Sequence, residues 1–239
     1  MTAATLVVLA AALAGCATTQ QEATRLQLDS SRIRASQVPT RVLTSGDAVQ
    51  VTRLAVVPGA TGTAFVVQVH NPGTRSVSDL PISVGVRLAH RLPRYLNLES
   101  PAEFSYFDAH LPAIAPGRTV TWVYSTGTRL PAHARPFALV GGVPSVTARA
   151  SAHPPVIVAT SAATTATSQL AVTLHNLTTI PQYQLQVYAY AQDGDRFVAA
   201  GNLTVPHLGS QARKTVKLAL LGRPLNARLQ VEALATTVH

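Results

Sequence analysis

The chain has 239 residues and a net charge of +9, with 47% hydrophobic and only 12% charged side chains. That length and apolar content suit one large core or two of about 100 residues each, and they exclude a disordered chain. A single cysteine excludes an intramolecular disulfide. The basic residues are dispersed, with no long basic block and no aromatic-basic motif, so no nucleic-acid partner is expected. A diffuse positive surface favours anionic partners such as lipid headgroups or teichoic-type polymers.

The first element is a leader. Residues 3 to 15 are apolar apart from Thr5. The run is shorter than the roughly 20 residues that span a bilayer and has the length of a signal-peptide core. It ends in Leu13, Ala14, Gly15 and Cys16. This ending resembles the lipobox of bacterial lipoproteins. The resemblance implies cleavage ahead of Cys16, lipidation of its thiol, and an extracytoplasmic protein lipid-anchored to the bacterial membrane. The absence of Lys and Arg from residues 1 to 15 departs from the usual positive n-region. Residues 16–45 then read as a lipidated tether. Gln20, Gln21, Glu22, Ser30, Ser31 and Ser36 make it polar, and a short helix over 19–29 and a disordered spacer are both open.

From Val49 the period of the pattern becomes two. Val49, Val51, Arg53, Ala55 and Val57 share a face, and Pro58-Gly59 marks a turn. Thr63 to Val69 is β-branched and apolar and runs into a turn at His70, Asn71, Pro72 and Gly73. Ile82, Val84, Val86 and Leu88 oppose Ser83, Gly85 and Arg87. Further runs follow at Val120 to Tyr124, Phe137 to Val140 and Ser145 to Ala150. The second half repeats the style. Leu170, Val172 and Leu174 lead into His175-Asn176; Leu185, Val187 and Ala189 oppose Gln184, Gln186, Tyr188 and Tyr190. Asp193-Gly194 makes a hairpin, and Val216 to Leu220 and Ala227 to Ala233 complete the set. Short alternating strands with frequent turns predict an all-β fold of antiparallel sandwiches.

The halves also match each other. Phe65 to Asn71 aligns with Leu170 to Asn176, and Arg118-Thr119-Val120 with Lys214-Thr215-Val216, leaving an insertion in the first copy within His90 to Tyr106. Two tandem sandwiches are expected, at 46–151 and 155–239, with His153-Pro154-Pro155 as a stiff linker. The first half resembles CARDB-like, immunoglobulin-like envelope modules. Val67 to Gly73, Ile82 to Val86 and Leu111 to Gly117 carry the likeness. The second half is similar to FxLYD-type domains through Val187 to Gly194, although the Phe and Leu positions are not kept. The resemblance implies an Ig-like fold and a non-enzymatic role in the bacterial envelope.

Catalytic signatures for a Ser or Cys nucleophile, a zinc protease or a phosphate loop are missing from the sequence, and no catalytic residue, cofactor or metal is expected. Asp193 and Asp195 read as turn residues, and Asp108 and His110 share one side of an extended segment without an evident third ligand. Asn176-Leu177-Thr178 and Asn202-Leu203-Thr204 match the glycosylation sequon by chance. The stretch 89–110 is the most informative. Arg91, Arg94, Tyr95, Phe104 and Tyr106 read either as a cap on the first core or as a recognition surface of rigid aromatics with polar anchors. The expected protein is a lipid-anchored binding or scaffold protein with an envelope protein or polysaccharide as partner. A small-ligand or glycan-binding lipoprotein using the 89–110 loop is one alternative, and an enzyme or metal-dependent accessory factor another.

Overall fold

The computed structural model describes residues 40–77, 79–99, 106–142, 157–162, 169–225 and 227–234. The leader with Leu13, Ala14, Gly15 and Cys16, the 19–29 segment, Phe104, the 145–150 run and the linker around 153–155 lie outside the described residues. The described chain is all β, with no α-helix among the described residues. The first half contributes β1 (Gln50–Pro58), β2 (Thr63–His70), β3 (Leu80–Arg87), β4 (Arg94–Tyr95), β5 (His110–Leu111), β6 (Thr119–Thr126) and β7 (Arg135–Val140). The second contributes β8 (Ile157–Ala162), β9 (Gln169–Asn176), β10 (Gln182–Asp193), β11 (Arg196–Leu208), β12 (Arg213–Ala219), β13 (Leu221–Gly222) and β14 (Arg228–Leu234). All pairings are antiparallel, and every sheet draws its strands from one half only.

In the first half β1-β2-β6 faces β3, which has β7 on one edge and the short β4 and β5 on the other. Phe65, Val67, Trp122 and Val120 from one sheet meet Ile82, Val84 and Val86 from the other, which is an immunoglobulin-like layering. In the second half β8-β9-β12 faces β13-β11-β10-β14, with Leu170, Val172, Leu174 and Leu218 against Leu185, Val187, Ala189 and Val205. The hairpin between β10 and β11 turns on Gly194 and Asp195, with Gly194 at φ 54, the residue type that a tight primed turn admits at its first position.

Each half is pinned by the same buried asparagine. Asn71 donates from Nδ2 to the carbonyls of Arg75 (2.8 Å) and Ile114 (3.0 Å), and its Oδ1 accepts from Gly73 N (2.9 Å). Asn176 does the same toward Ile180 (2.8 Å), Gly209 (3.0 Å) and Thr178 N (3.0 Å). Both side chains are fully buried, and each ties loop carbonyls to its strand end. The register corrects the sequence alignment. His70 stands opposite Thr119 and His175 opposite Arg213, so Thr119 corresponds to Arg213 and not to Thr215. The slip is even, which keeps every side chain on its proper face. His70 pairs through Nδ1 with the Thr119 hydroxyl (3.1 Å).

Both faces of β10 are buried. Leu185, Val187 and Ala189 enter the second core, while Tyr188 and Tyr190 join Phe197 and Ala200 in the first. They lie against the outer face of β1-β2-β6, whose Ala64, Val66, Thr121 and Val123 are also buried. Polar groups complete the contact. Asn202 Oδ1 accepts from Ser125 N (3.1 Å) and Glu232 Oε2 from Thr121 N (3.4 Å), on the outer strand β6. The Tyr190 hydroxyl is 2.6 Å from Glu232 Oε1 and 2.9 Å from Gln230 Oε1. Burial raises the pKa of both Tyr188 and Tyr190, so both remain neutral phenols.

Two stability outcomes follow from these contacts. Asn71→Ala and Asn176→Ala are each expected to cost roughly 2–4 kcal/mol, because each removes at least three hydrogen bonds of a buried side chain; urea titration of each variant measures this. Among the described residues the Tyr188 hydroxyl has no hydrogen-bond partner. Tyr188→Phe should therefore leave the melting temperature unchanged or raise it, whereas Tyr190→Phe, which removes a bond to a carboxylate, should destabilise by about 1.5–3 kcal/mol.

Candidate functional site

The outer face of the β3-β7 sheet carries Ser83, Gly85 and Arg87 alongside Leu139, Phe137 and Arg135. Tyr95 on β4 is held opposite Gly85. Glycine is required there, since a Cβ would run into the Arg94 carbonyl oxygen and come within 2.9 Å of the Phe137 ring. Tyr95 then meets Phe137 edge to face, with ring centroids 5.2 Å apart. The Arg41 guanidinium sits 4.8 Å over the Tyr95 ring, and that of Arg87 sits 4.9 Å over Phe137. The result is a strip in which two cations flank two aromatics. Arg94 forms a bidentate ion pair with Glu99 beside it, with Nη2 2.7 Å from Oε2. The pair is about half exposed and contributes little to stability.

The residues that the sequence singles out are divided by the structure. Arg91, Arg94 and Tyr95 lie together at the β4 end of β3. Tyr106 lies toward the β5 end, stacked flat on His110 at 4.0 Å and edge-on to Phe107 at 5.1 Å. Between the two groups the Asn97 side chain bridges the gap in the strand edge. Its Oδ1 accepts from Val84 N (2.9 Å), and its Nδ2 donates to the carbonyls of Ile82 (2.9 Å) and Asp108 (2.8 Å). Trp122 Nε1 donates to the Phe107 carbonyl (3.2 Å) and the Tyr124 hydroxyl to that of Leu96 (3.0 Å), which ties the insertion to the core.

Sequence reasoning did not find Arg41, Phe137 or Asn97. Arg41 falls within 16–45, read as tether, yet Val42 is buried, with its N–H bonded to Ser83 Oγ (2.9 Å). The outward position of Arg87 was legible from the alternation along β3. His110 is buried, and desolvation lowers its pKa to about 4. It therefore stands neutral, and its Nδ1–H donates to the Tyr106 carbonyl (2.9 Å). No group of three metal-ligating side chains is present among the described residues. Neither sequon asparagine is free: Asn176 is the buried clamp, and Asn202 caps β6.

No family model matches the chain, and no curated protein matches it. Among solved structures it is similar to dimeric latent PorU from Porphyromonas gingivalis, at 15% identity and a TM-score of 0.22. The alignment covers 85% of this chain and 21% of that one, so the chain spans about a fifth of the length of the structure it matches.

The buried histidine sets a pH dependence. Unfolding restores its ordinary pKa of 6.5, so below that pH the unfolded chain takes up a proton that the folded one refuses. Stability contributed by neutral His110 is complete above pH 6.5 and is lost as pH falls toward 4, by about 3 kcal/mol. His110→Phe, which keeps the stack on Tyr106, should flatten this slope in urea titrations between pH 7 and 4.

Proposed function

We propose that this is a lipid-anchored binding or scaffold protein of the bacterial envelope, non-enzymatic, with an envelope protein or polysaccharide as partner. The observation that carries the reading is the cation and aromatic strip of Arg41, Tyr95, Phe137 and Arg87, built on the outside of a sandwich. Such a strip contributes nothing to the core facing β1-β2-β6, and Arg with aromatic side chains is the composition of interface anchors. The leader ending in Cys16, with its likeness to a lipobox, supports anchoring outside the cytoplasm. The CARDB-like and FxLYD-like motifs support the same role.

One detail favours a protein partner over a sugar. Stacking a sugar needs an open ring face. Tyr95 has Arg41 over its ring and Phe137 against it, and Tyr106 lies flat on His110. The arginines remain the available donors.

Two measurements test the proposal. Incorporation of labelled fatty acid should be lost in Cys16→Ser; an unlabelled wild-type protein removes the anchor. A photo-crosslinking residue at position 95 or 41 should capture one discrete envelope component in cells. The exposed Lys217 on β12 serves as control, and equal capture from that position rules out the strip as the recognition surface.

A further inference from the structure

We infer that the end of the first sandwich formed by Arg87, Arg91, Leu92 and Arg135 seats on the headgroup layer of an anionic membrane, with Leu92 entering the acyl boundary. The inference rests on the lipid-anchored reading above and adds a second, protein-borne contact with the same membrane. Arg87 closes β3 directly opposite Arg135 on β7. Like charges placed so disfavour the sheet, and an anion between them removes the conflict. The turn beyond Arg87 is tight, with His90 at φ 58 and Arg91 N bonded to the Leu88 carbonyl (3.2 Å). It projects Leu92, which is 90% exposed. No other large hydrophobic among the described residues is as open. Arg91 and Arg135 are exposed too, and among the described residues no carboxylate forms an ion pair with Arg87, Arg91 or Arg135. An apolar tip at the same end of the sheet as exposed cations matches the depth profile of an anionic leaflet.

The path of the chain points to the same end. Gly46 N bonds the carbonyl of Val140, at the far end of β7. Val42 N bonds Ser83, and Arg41 lies over Tyr95, opposite Gly85. Read backward from Gly46, the segment therefore climbs the sheet toward Arg87 and Arg135. The remaining stretch from Thr40 to Cys16, about 24 residues, spans at most about 80 Å when extended. The amino end of the described chain, which leads in sequence to Cys16, thus points toward the exposed arginines and Leu92. A basic patch beside a lipid anchor adds an electrostatic contact with the same leaflet.

The test uses the chain from residue 17 to 239, which keeps every described residue and omits only the leader and Cys16. Its binding to phosphatidylglycerol–phosphatidylcholine vesicles is compared with binding to phosphatidylcholine alone by co-sedimentation. The chain should prefer the anionic vesicles, and the preference should fall as salt rises. Arg91→Glu with Arg135→Glu should weaken binding at least tenfold, and Leu92→Asp should also weaken it, all at unchanged melting temperature. Lys214→Glu with Lys217→Glu alters net charge equally on the second half and should bind as the parent does. No preference for the anionic vesicles, or equal loss in the lysine control, overturns the inference. Because this chain carries no lipid, vesicle binding and fatty-acid labelling of Cys16 fail independently.

Discussion

Tyr188, Tyr190 and Phe197 lie across the outer face of β1-β2-β6, and this contact makes the described chain one body. A sheet buried on one face ordinarily leaves the other to solvent, with polar side chains at alternate positions. Here β2 and β10 are buried on both faces. The strands meet this demand with small or β-branched residues on one side, Ala64, Val66 and Val123, and large aromatics on the other. Both tyrosines are buried deeply enough to raise their pKa values, and Glu232 reaches the Tyr190 hydroxyl and the β6 backbone together. One carboxylate therefore serves both halves.

The site depends on this arrangement indirectly. With its inner face filled by the first core and the far side of β1-β2-β6 covered by the second half, the first sandwich has the outer face of β3-β7 left for display. That face is not bare. The segment around Val42 covers its middle, and Asn97 closes the strand edge where β4 and β5 stop short. What remains exposed is Arg41 and Arg87, laid over a half-buried Tyr95 and a buried Phe137, and the turn beyond them. Arginine over an aromatic ring keeps the guanidinium edge free to donate while the ring holds its plane. The strip therefore presents oriented donors on a rigid support, which is the property required of a recognition surface.

Much of the fold was legible because side-chain alternation has a period of two on any strand. The strands from Gln50 to Pro58, Leu80 to Arg87 and Gln182 to Asp193 follow from it directly. The same pattern concealed the contact between halves. Tyr188 and Tyr190 alternate with Leu185 and Val187 whether their face meets water or another sheet, and tyrosine suits both. The true match of Thr119 with Arg213 was hidden because Lys214-Thr215-Val216 mimics Arg118-Thr119-Val120 one pleat repeat away. The site was half legible. Arg94 and Tyr95 stand out by composition, but Arg41 is remote in sequence and falls in the stretch read as tether. Asn97 acts through geometry alone, filling a gap between short strands that no local pattern announces.

The asparagine and glutamate that cap β6 come from the second half, and so does the aromatic cover of β1-β2-β6. Synthesis runs from the amino end. The first sandwich is therefore completed, open edge and greasy flank together, before the residues that shield them have been made. During that interval β6 is a strand ready to recruit a neighbour, including the same strand of another nascent copy. Synthesis of many copies side by side then calls for a holding factor, or for the carboxyl end to arrive quickly.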